Sequence, residues 1–323
     1  MPLPRTVELP EDITCIDTGL FGPDMAACFL IRQHGKAAIV ECGGSKSAPI
    51  ILEAVRQAGL TAEDVLYVMP THVHLDHGGG AGALLELLPN ARLVIHPRGA
   101  RHMRDPSVLW AGAAEVYGED ALFRDYGPPV PVPEERMVIA RDGAEFDLNG
   151  RRLLVLDTPG HARHHYSVWD ERSRGFFTGD TFGVSYRQTD NERGAFIMPT
   201  TTPVQFDPGA WHATLDRYLS YQPERMYLTH YSMVGEVPRL TDDLRRDIDE
   251  YAAIARLHRE AEDRHRRIKA ALVDHTLERL RRHGCALTRT AQHALIDMDM
   301  DLNTQGLVVW LDTQAHQQDS RTE

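Results

Sequence analysis

Between Pro70 and Gly80 the chain reads PTHVHLDHGGG, which places His72, His74, Asp76 and His77 within six positions. Imidazole nitrogens and carboxylate oxygens are lone-pair donors that divalent metals accept, and a loop at a strand end holds such groups in place. No helix cap or turn requires three imidazoles, and a core rejects them unless each finds a partner. Three other places offer the same kind of group after an apolar stretch: His161 in DTPGHARHH, Asp180 in FFTGD and His230 in YLTHYS. Each of these alone reads as a hydrogen-bonded histidine or a turn aspartate. The six-residue cluster does not.

The elements that must position these groups belong to an ordinary globular chain. It has 323 residues, 42% hydrophobic and 25% charged, enough for one large domain or a domain with an appendage. A formal charge of -12 argues against a nucleic-acid partner and against adhesion to anionic membranes. Cys15, Cys28, Cys42 and Cys285 are scattered, with no C-x-x-C pair, which fits a reduced chain better than a disulfide framework. The first residues, MPLPRTVELPEDITC, lack the apolar core of a secretory signal, and no apolar run approaches the length of a membrane span. These features lead to an expected cytoplasmic location.

In the first third, DITCID, MAACFLIRQHG and KAAIVECGG read as strands, followed by a helix over SAPIILEAVRQAGL with Ser47 as N-cap and Gly59 as C-cap. DVLYVMPTHVH returns to strand with the histidine cluster at its end, GGGAGALLELLPN opens a helix, and ARLVIHP is strand again. PRGARHMRD and PSVLWAGAAEVYG read as helical, YGPPVPVPEE as loop. Strands resume at MVIARDG and through three apolar segments of RRLLVLDTPGHARHHYSVWDERSRGFFTGD. Asp207 caps a helix over PGAWHATLDRYLSY, and RMYLTHYSM reads as one more strand. After Pro238, Leu240, Leu244, Ile248, Tyr251, Ile254 and Leu257 recur at helical steps. RIKAALVDHTLERLRRHG is a second helix closed by Gly284, and TRTAQHALIDMD and LNTQGLVVWLD read as two shorter ones. The expected domains are 1–238, carrying the site, and 239–323, a helical extension that packs on the main domain or on another subunit, the latter giving a homodimer.

The ordered set HVHLDH, PGHARHH, TGD and LTH resembles the metallo-β-lactamase-fold hydrolases over roughly residues 10 to 235. The resemblance implies an α/β (α+β) fold, an αββα sandwich with the metal site along one edge, here followed by the helical extension. It also implies a ligand set. His72, His74 and His161 hold one metal, Asp76, His77 and His230 a second, and Asp180 bridges both. This thiolate-free set suits two divalent ions, Zn²⁺ first, with Fe or Mn also admitted. Relatives with cysteine at the position of Asp180 are the true β-lactamases, so the chain looks closer to glyoxalase II and the lactonases. His165 falls where the family often supports its ligands, while His164 has no counterpart.

One departure is visible. The family usually carries Asp-x-Gly after the third strand, and here the text is Glu41-Cys42-Gly43-Gly44. Glutamate can support the ligands with a longer reach, and Cys42 reads as a buried spectator. The implied activity is metal-dependent hydrolysis of a small-molecule ester, lactone or thioester by a metal-bridging hydroxide, with Asp76 as proton shuttle. Tyr186 and Tyr231 are candidates for contacting substrate, and GAFIMPTTTPVQFDP is expected to border the pocket. Two alternatives share the fold or the metal site. One is a mononuclear iron enzyme of the persulfide-dioxygenase kind, which the complete second-metal set disfavours. The other is a metal-containing sensor with little turnover.

Overall fold

The structure is a computed structural model that describes residues 3–322. Its first sheet runs in chain order: β1 (Thr6–Leu9), β2 (Ile13–Asp17), β3 (Ala27–Gln33), β4 (Lys36–Val40), β5 (Val65–Met69), β6 (Arg92–Ile95) and β7 (Met137–Ile139). The first four strands are antiparallel, and the pairs from β4 to β7 are parallel. Parallel neighbours need crossovers. These are α1 (Ala48–Gln57), α2 (Ala81–Leu87) and a run of three helices, α3 (Ala100–Arg104), α4 (Ser107–Tyr117) and α5 (Glu119–Asp125). The second sheet contains β8 (Glu145–Leu148), β9 (Arg151–Asp157), β10 (Tyr166–Asp170), β11 (Gly175–Gly179), β12 (Arg225–Leu228) and β13 (Ser232–Val234), in the spatial order β13-β12-β11-β10-β9-β8. α6 (Pro208–Ser220) crosses between the parallel β11 and β12. α7 (Val237–Leu257), α8 (Arg264–His283) and α9 (Arg289–Thr322) follow.

The period-2 alternation of the strands builds two cores from one sheet. On β3, Cys28 and Leu30 point to a cluster with Ile51 and Val55 of α1 and Leu84 of α2. Phe29 and Ile31 point the other way, to Val155, Val168 and Phe177 of the second sheet. Two mixed sheets with flanking helices and extra C-terminal helices make the αββα architecture.

The chain forms two compact units. One comprises the stretches up to Thr158, His164–Gly179 and Pro223–Gly235, and contains both sheets with α1 to α5. The other comprises Pro159–Arg163, Asp180–Gln222 and the residues from Glu236 on, with α6 to α9. Within it α6 packs on α7, and α7 and α8 pack on α9 and on each other.

Several elements differ from the sequence reading. RMYLTHYSM divides into β12 and β13, which pair with each other across the turn that carries His230. TRTAQHALIDMD and LNTQGLVVWLD form the single helix α9. Gly306 breaks nothing there, because its bare Cα serves packing: a Cβ would overlap the carbonyl oxygen of Thr201. Ser47 stands at the N-cap of α1, yet its hydroxyl donates to Thr18 O at 3.2 Å rather than capping the helix. Leu257 keeps the spacing of the α7 stripe but is exposed.

A buried ion pair joins the second sheet to the first within the sandwich. Arg151 Nε donates to Asp170 Oδ1 at 3.0 Å, and Arg151 Nη1 donates to the carbonyls of Glu11 (2.7 Å) and Arg32 (3.2 Å). Both side chains are almost fully buried. Arg151→Met strands the Asp170 carboxylate, so it costs about 3–5 kcal/mol in urea-unfolding stability. The double change Arg151→Met, Asp170→Leu costs less than the single one.

Candidate metal centre

The histidine cluster occupies the turn after β5, His161 the loop between β9 and β10, Asp180 the residue after β11, and His230 the turn after β12. Strand ends thus deliver the chemical groups, as the apolar stretches before them require. Two groups of potential ligand atoms result. In one, His72, His74, His161 and Asp180 offer atoms all within 4.8 Å of one another; in the other, Asp76, His77 and His230 do the same.

The hydrogen bonds around these rings decide where the lone pairs lie. His161 Nδ1 is 2.8 Å from Thr200 O, and His230 Nδ1 is 2.6 Å from Met25 O. A carbonyl only accepts, so each Nδ1 carries a proton, and in the neutral ring Nε2 presents the lone pair. Those Nε2 atoms face carboxylates: His161 Nε2 lies 3.5 Å from Asp180 Oδ2, and His230 Nε2 lies 3.3 Å from Asp76 Oδ2. Each such contact calls for a shared cation, a proton or a metal ion, and the further ligand-type groups gathered around each favour the metal. The donor set therefore fits divalent metal, and the paired groups support a dinuclear site.

Glu41 organises the remaining rings. Its side chain is buried at the end of β4 and collects four hydrogen bonds. Oε1 accepts from Thr71 Oγ1 at 2.5 Å, His77 Nδ1 at 3.1 Å and Thr229 Oγ1 at 3.2 Å, while Oε2 accepts from Thr71 N at 3.2 Å. Thr71 Oγ1, having given its proton to Glu41, accepts from His72 Nδ1 at 3.1 Å. His72 Nε2, the ring's acceptor, lies within hydrogen-bond distance of His74 Nδ1 at 2.8 Å. The carboxylate thus fixes the tautomers of His72 and His77 together, the arrangement by which outer partners tune metal ligands.

The glycines after the cluster act by closeness rather than by unusual dihedrals. A Cβ on Gly80 would lie 2.5 Å from Gly44 O and 2.6 Å from Cys42 O. The chain therefore passes directly against the Glu41–Gly44 segment, and Gly80 N donates to Gly43 O at 2.6 Å. This contact keeps Glu41 under the histidines.

The other residues singled out from the sequence fall as follows. His165 Nδ1 pairs with Thr158 Oγ1 at 2.9 Å, and its ring lies 4.9 Å from that of His72. His164 lies near-parallel to His72 with ring centres 6.0 Å apart, 5.6 Å from His74 and 6.5 Å from His102. Tyr186 donates its hydroxyl to the Asp299 carboxylate at 3.0 Å, on α9. Tyr231 is buried in the cluster between the sheets, and burial pushes its phenol well up. Of the GAFIMPTTTPVQFDP stretch, the Thr200 carbonyl reaches the site through His161.

Cys42 is fully buried, its Sγ donates to His77 O at 2.9 Å, and burial holds its thiol well above the usual range. Cys15 and Cys28 are buried too, while Cys285 is partly exposed. One thiol per native chain should react rapidly with Ellman's reagent, the other three only after unfolding. Rapid loss of two or more would contradict this placement of Cys42 and its neighbours.

Thr71, Thr229, Thr200 and Met25 were not singled out from the sequence. Two of them carried a signal: Thr71-His72 and Thr229-His230 repeat the same dipeptide, and both hydroxyls converge on Glu41. Thr200 and Met25 act through backbone carbonyls, which any residue supplies.

The model of the metallo-β-lactamase superfamily matches residues 21–230, and the chain belongs to that superfamily. A metallo-β-lactamase fold-containing protein, ST1585, of Sulfurisphaera tokodaii is 29% identical over 226 residues, 68% of this chain and 77% of the relative. The chicken acyl-coenzyme A thioesterase MBLAC2 is 28% identical over 166 residues, which are 48% of this chain and 57% of that enzyme. Among solved structures, the ST1585 protein from Sulfolobus tokodaii superposes with a TM-score of 0.64 at 21% identity, covering 93% of this chain and 99% of its own. The metallo-β-lactamase family protein TTHA1429 from Thermus thermophilus gives 0.62 at 18% identity, covering 97% and 93%. These superpositions extend beyond residue 230, so the fold likeness takes in C-terminal helices as well as the sheets.

Proposed function

We propose that the chain is a dinuclear metal-dependent hydrolase of a small-molecule ester, lactone or thioester. The observation that carries this is the pair of ligand groups, each of which sets a histidine Nε2 against a carboxylate. In this reading His72, His74 and His161 would hold one ion and Asp76, His77 and His230 the other, with Asp180 the residue that would be shared. Two such ions, when bound, would supply a Lewis acid for the substrate carbonyl and would lower the pKa of bound water towards neutral pH. Zn²⁺ suits the nitrogen and oxygen donors best, with Fe and Mn admissible.

The chain's own residues do the rest. Glu41, Thr200 O and Met25 O fix the ring orientations, so the ligands need little reorganisation. Asp76 retains about a fifth of its side-chain exposure, which lets it exchange a proton with the departing group or with solvent. A carboxylate at 180, in place of the thiolate of the true β-lactamases, favours the glyoxalase II and lactonase side of the superfamily. The thioesterase among the relatives makes a thioester the first substrate class to try.

The test is a panel of acyl-thioesters, lactones and aryl esters, assayed with protein as purified, after chelation, and after return of Zn²⁺, Mn²⁺ or Fe²⁺. Turnover of at least one class should vanish on chelation and return with metal. Metal-loaded protein that cleaves none of them would move the reading to the sensor.

A further inference from the structure

We propose that Asn303, on the C-terminal helix α9, is a positioning residue for the metal ligand His161; this rests on the reading of His161 as a ligand. The chain of contacts lies within one compact unit. His161 Nδ1 donates to Thr200 O. The segment around Thr200 is clamped on both sides by the Asn303 side chain. Thr201 N donates to Asn303 Oδ1 at 2.5 Å, and Asn303 Nδ2 donates to Pro199 O at 3.2 Å. Thr201 Oγ1 donates to the Asn303 carbonyl at 3.0 Å.

Three features show that this clamp is built rather than incidental. Asn303 is 1% exposed, and a buried amide inside a helix is costly unless its donors and acceptor are used. Three residues along, Gly306 lets the Thr201 carbonyl approach the helix where any Cβ would overlap it. From α8, Arg279 donates to Ile197 O at 3.0 Å and lies over the Phe196 ring, while pairing with the buried Asp247 of α7. α8 and α9 thus bear directly on residues 196–201, with α7 holding Arg279 in place, and the contact nearest His161 is the one Asn303 makes. The peptide plane of Thr200 is held between the Asn303 clamps on Pro199 O and Thr201 N, so the direction of its carbonyl is set by α9. That carbonyl in turn fixes the tautomer and azimuth of His161.

The consequence is specific to one ion. Asn303→Ala should weaken the ion held by His161 roughly 10- to 100-fold, the effect typical of outer partners of metal ligands. The ion held by Asp76, His77 and His230 should keep its affinity. The experiment titrates full-length protein with Co²⁺ against a chromophoric chelator, following visible absorption of each site, with far-UV circular dichroism as the fold control. Leu272→Ala, a fully buried truncation in α8, serves as a destabilised control and should leave both affinities unchanged. If Asn303→Ala does not fold, Thr201→Val removes the hydroxyl bond alone and should weaken the same ion by a smaller factor.

Wild-type protein that binds two ions beside a folded Asn303→Ala, or Thr201→Val, with both affinities intact overturns this inference alone. So does an equal loss in Leu272→Ala. Wild-type protein that binds no metal overturns the metal reading and this inference with it.

Discussion

Asp180→Asn should abolish most turnover and leave the fold in place. The change keeps the shape of a buried side chain and removes the charge that faces the His161 lone pair. An amide presents one weaker acceptor where the carboxylate presents two, so it cannot span two cations with equal strength. Loss of about 4 kcal/mol of transition-state stabilisation corresponds to roughly a thousandfold in kcat. Bound metal should fall from two ions per chain towards one, and the urea midpoint of the metal-free protein should stay level or rise, since a buried carboxylate is gone. Asp180→Asn with wild-type kcat and two tightly bound ions would show that this residue does not bridge.

Glu41→Ala should damage both stability and metal binding. Four donors lose their acceptor at once: Thr71 N, Thr71 Oγ1, His77 Nδ1 and Thr229 Oγ1. Each buried donor left unsatisfied costs about 1–3 kcal/mol, partly relieved by water entering the space left behind, so a total near 3 kcal/mol is expected. The rings of His72 and His77 lose the partner that sets their tautomers, and metal affinity should drop about 10- to 100-fold. Glu41→Gln is the informative companion. Its oxygen can serve the three contacts at Oε1, but its amide nitrogen then meets the Thr71 N–H donor to donor. It should fall between wild type and alanine in thermal midpoint and in metal affinity. If Glu41→Ala unfolds at the wild-type midpoint and binds metal normally, the glutamate is a bystander to the site.

The residues that touch metal in this reading were legible because lone-pair chemistry leaves its mark on residue type. His72, His74, Asp76 and His77 announce themselves by density, while His161, Asp180 and His230, ambiguous singly, are picked out by the family resemblance of the ordered motif set. Sheets covered by helices were legible from apolar runs alternating with amphipathic helices, and the αββα layering from the family resemblance. What supports the ligands was less so. Thr200 and Met25 contribute carbonyls, which are independent of side-chain identity. Asn303 lies 142 positions from His161, and nothing in the sequence ties an asparagine in α9 to a loop before β10. Helix and strand limits failed where tertiary contact overrides local preference. Gly306 sits within α9 because close packing needs it, and β13 exists because β12 offers it an edge. The glycines after His77 were legible as turn formers, but their closer constraint, the backbone of Cys42 and Gly44, appears only in three dimensions.

A site for two ions is the central claim, and metal stoichiometry tests it most directly. Purified protein, stripped by chelation and redialysed against Zn²⁺, should bind two ions per chain by elemental analysis, and His74→Ala and Asp180→Asn should each bind fewer. One ion or none per wild-type chain, under the same loading, would contradict the account.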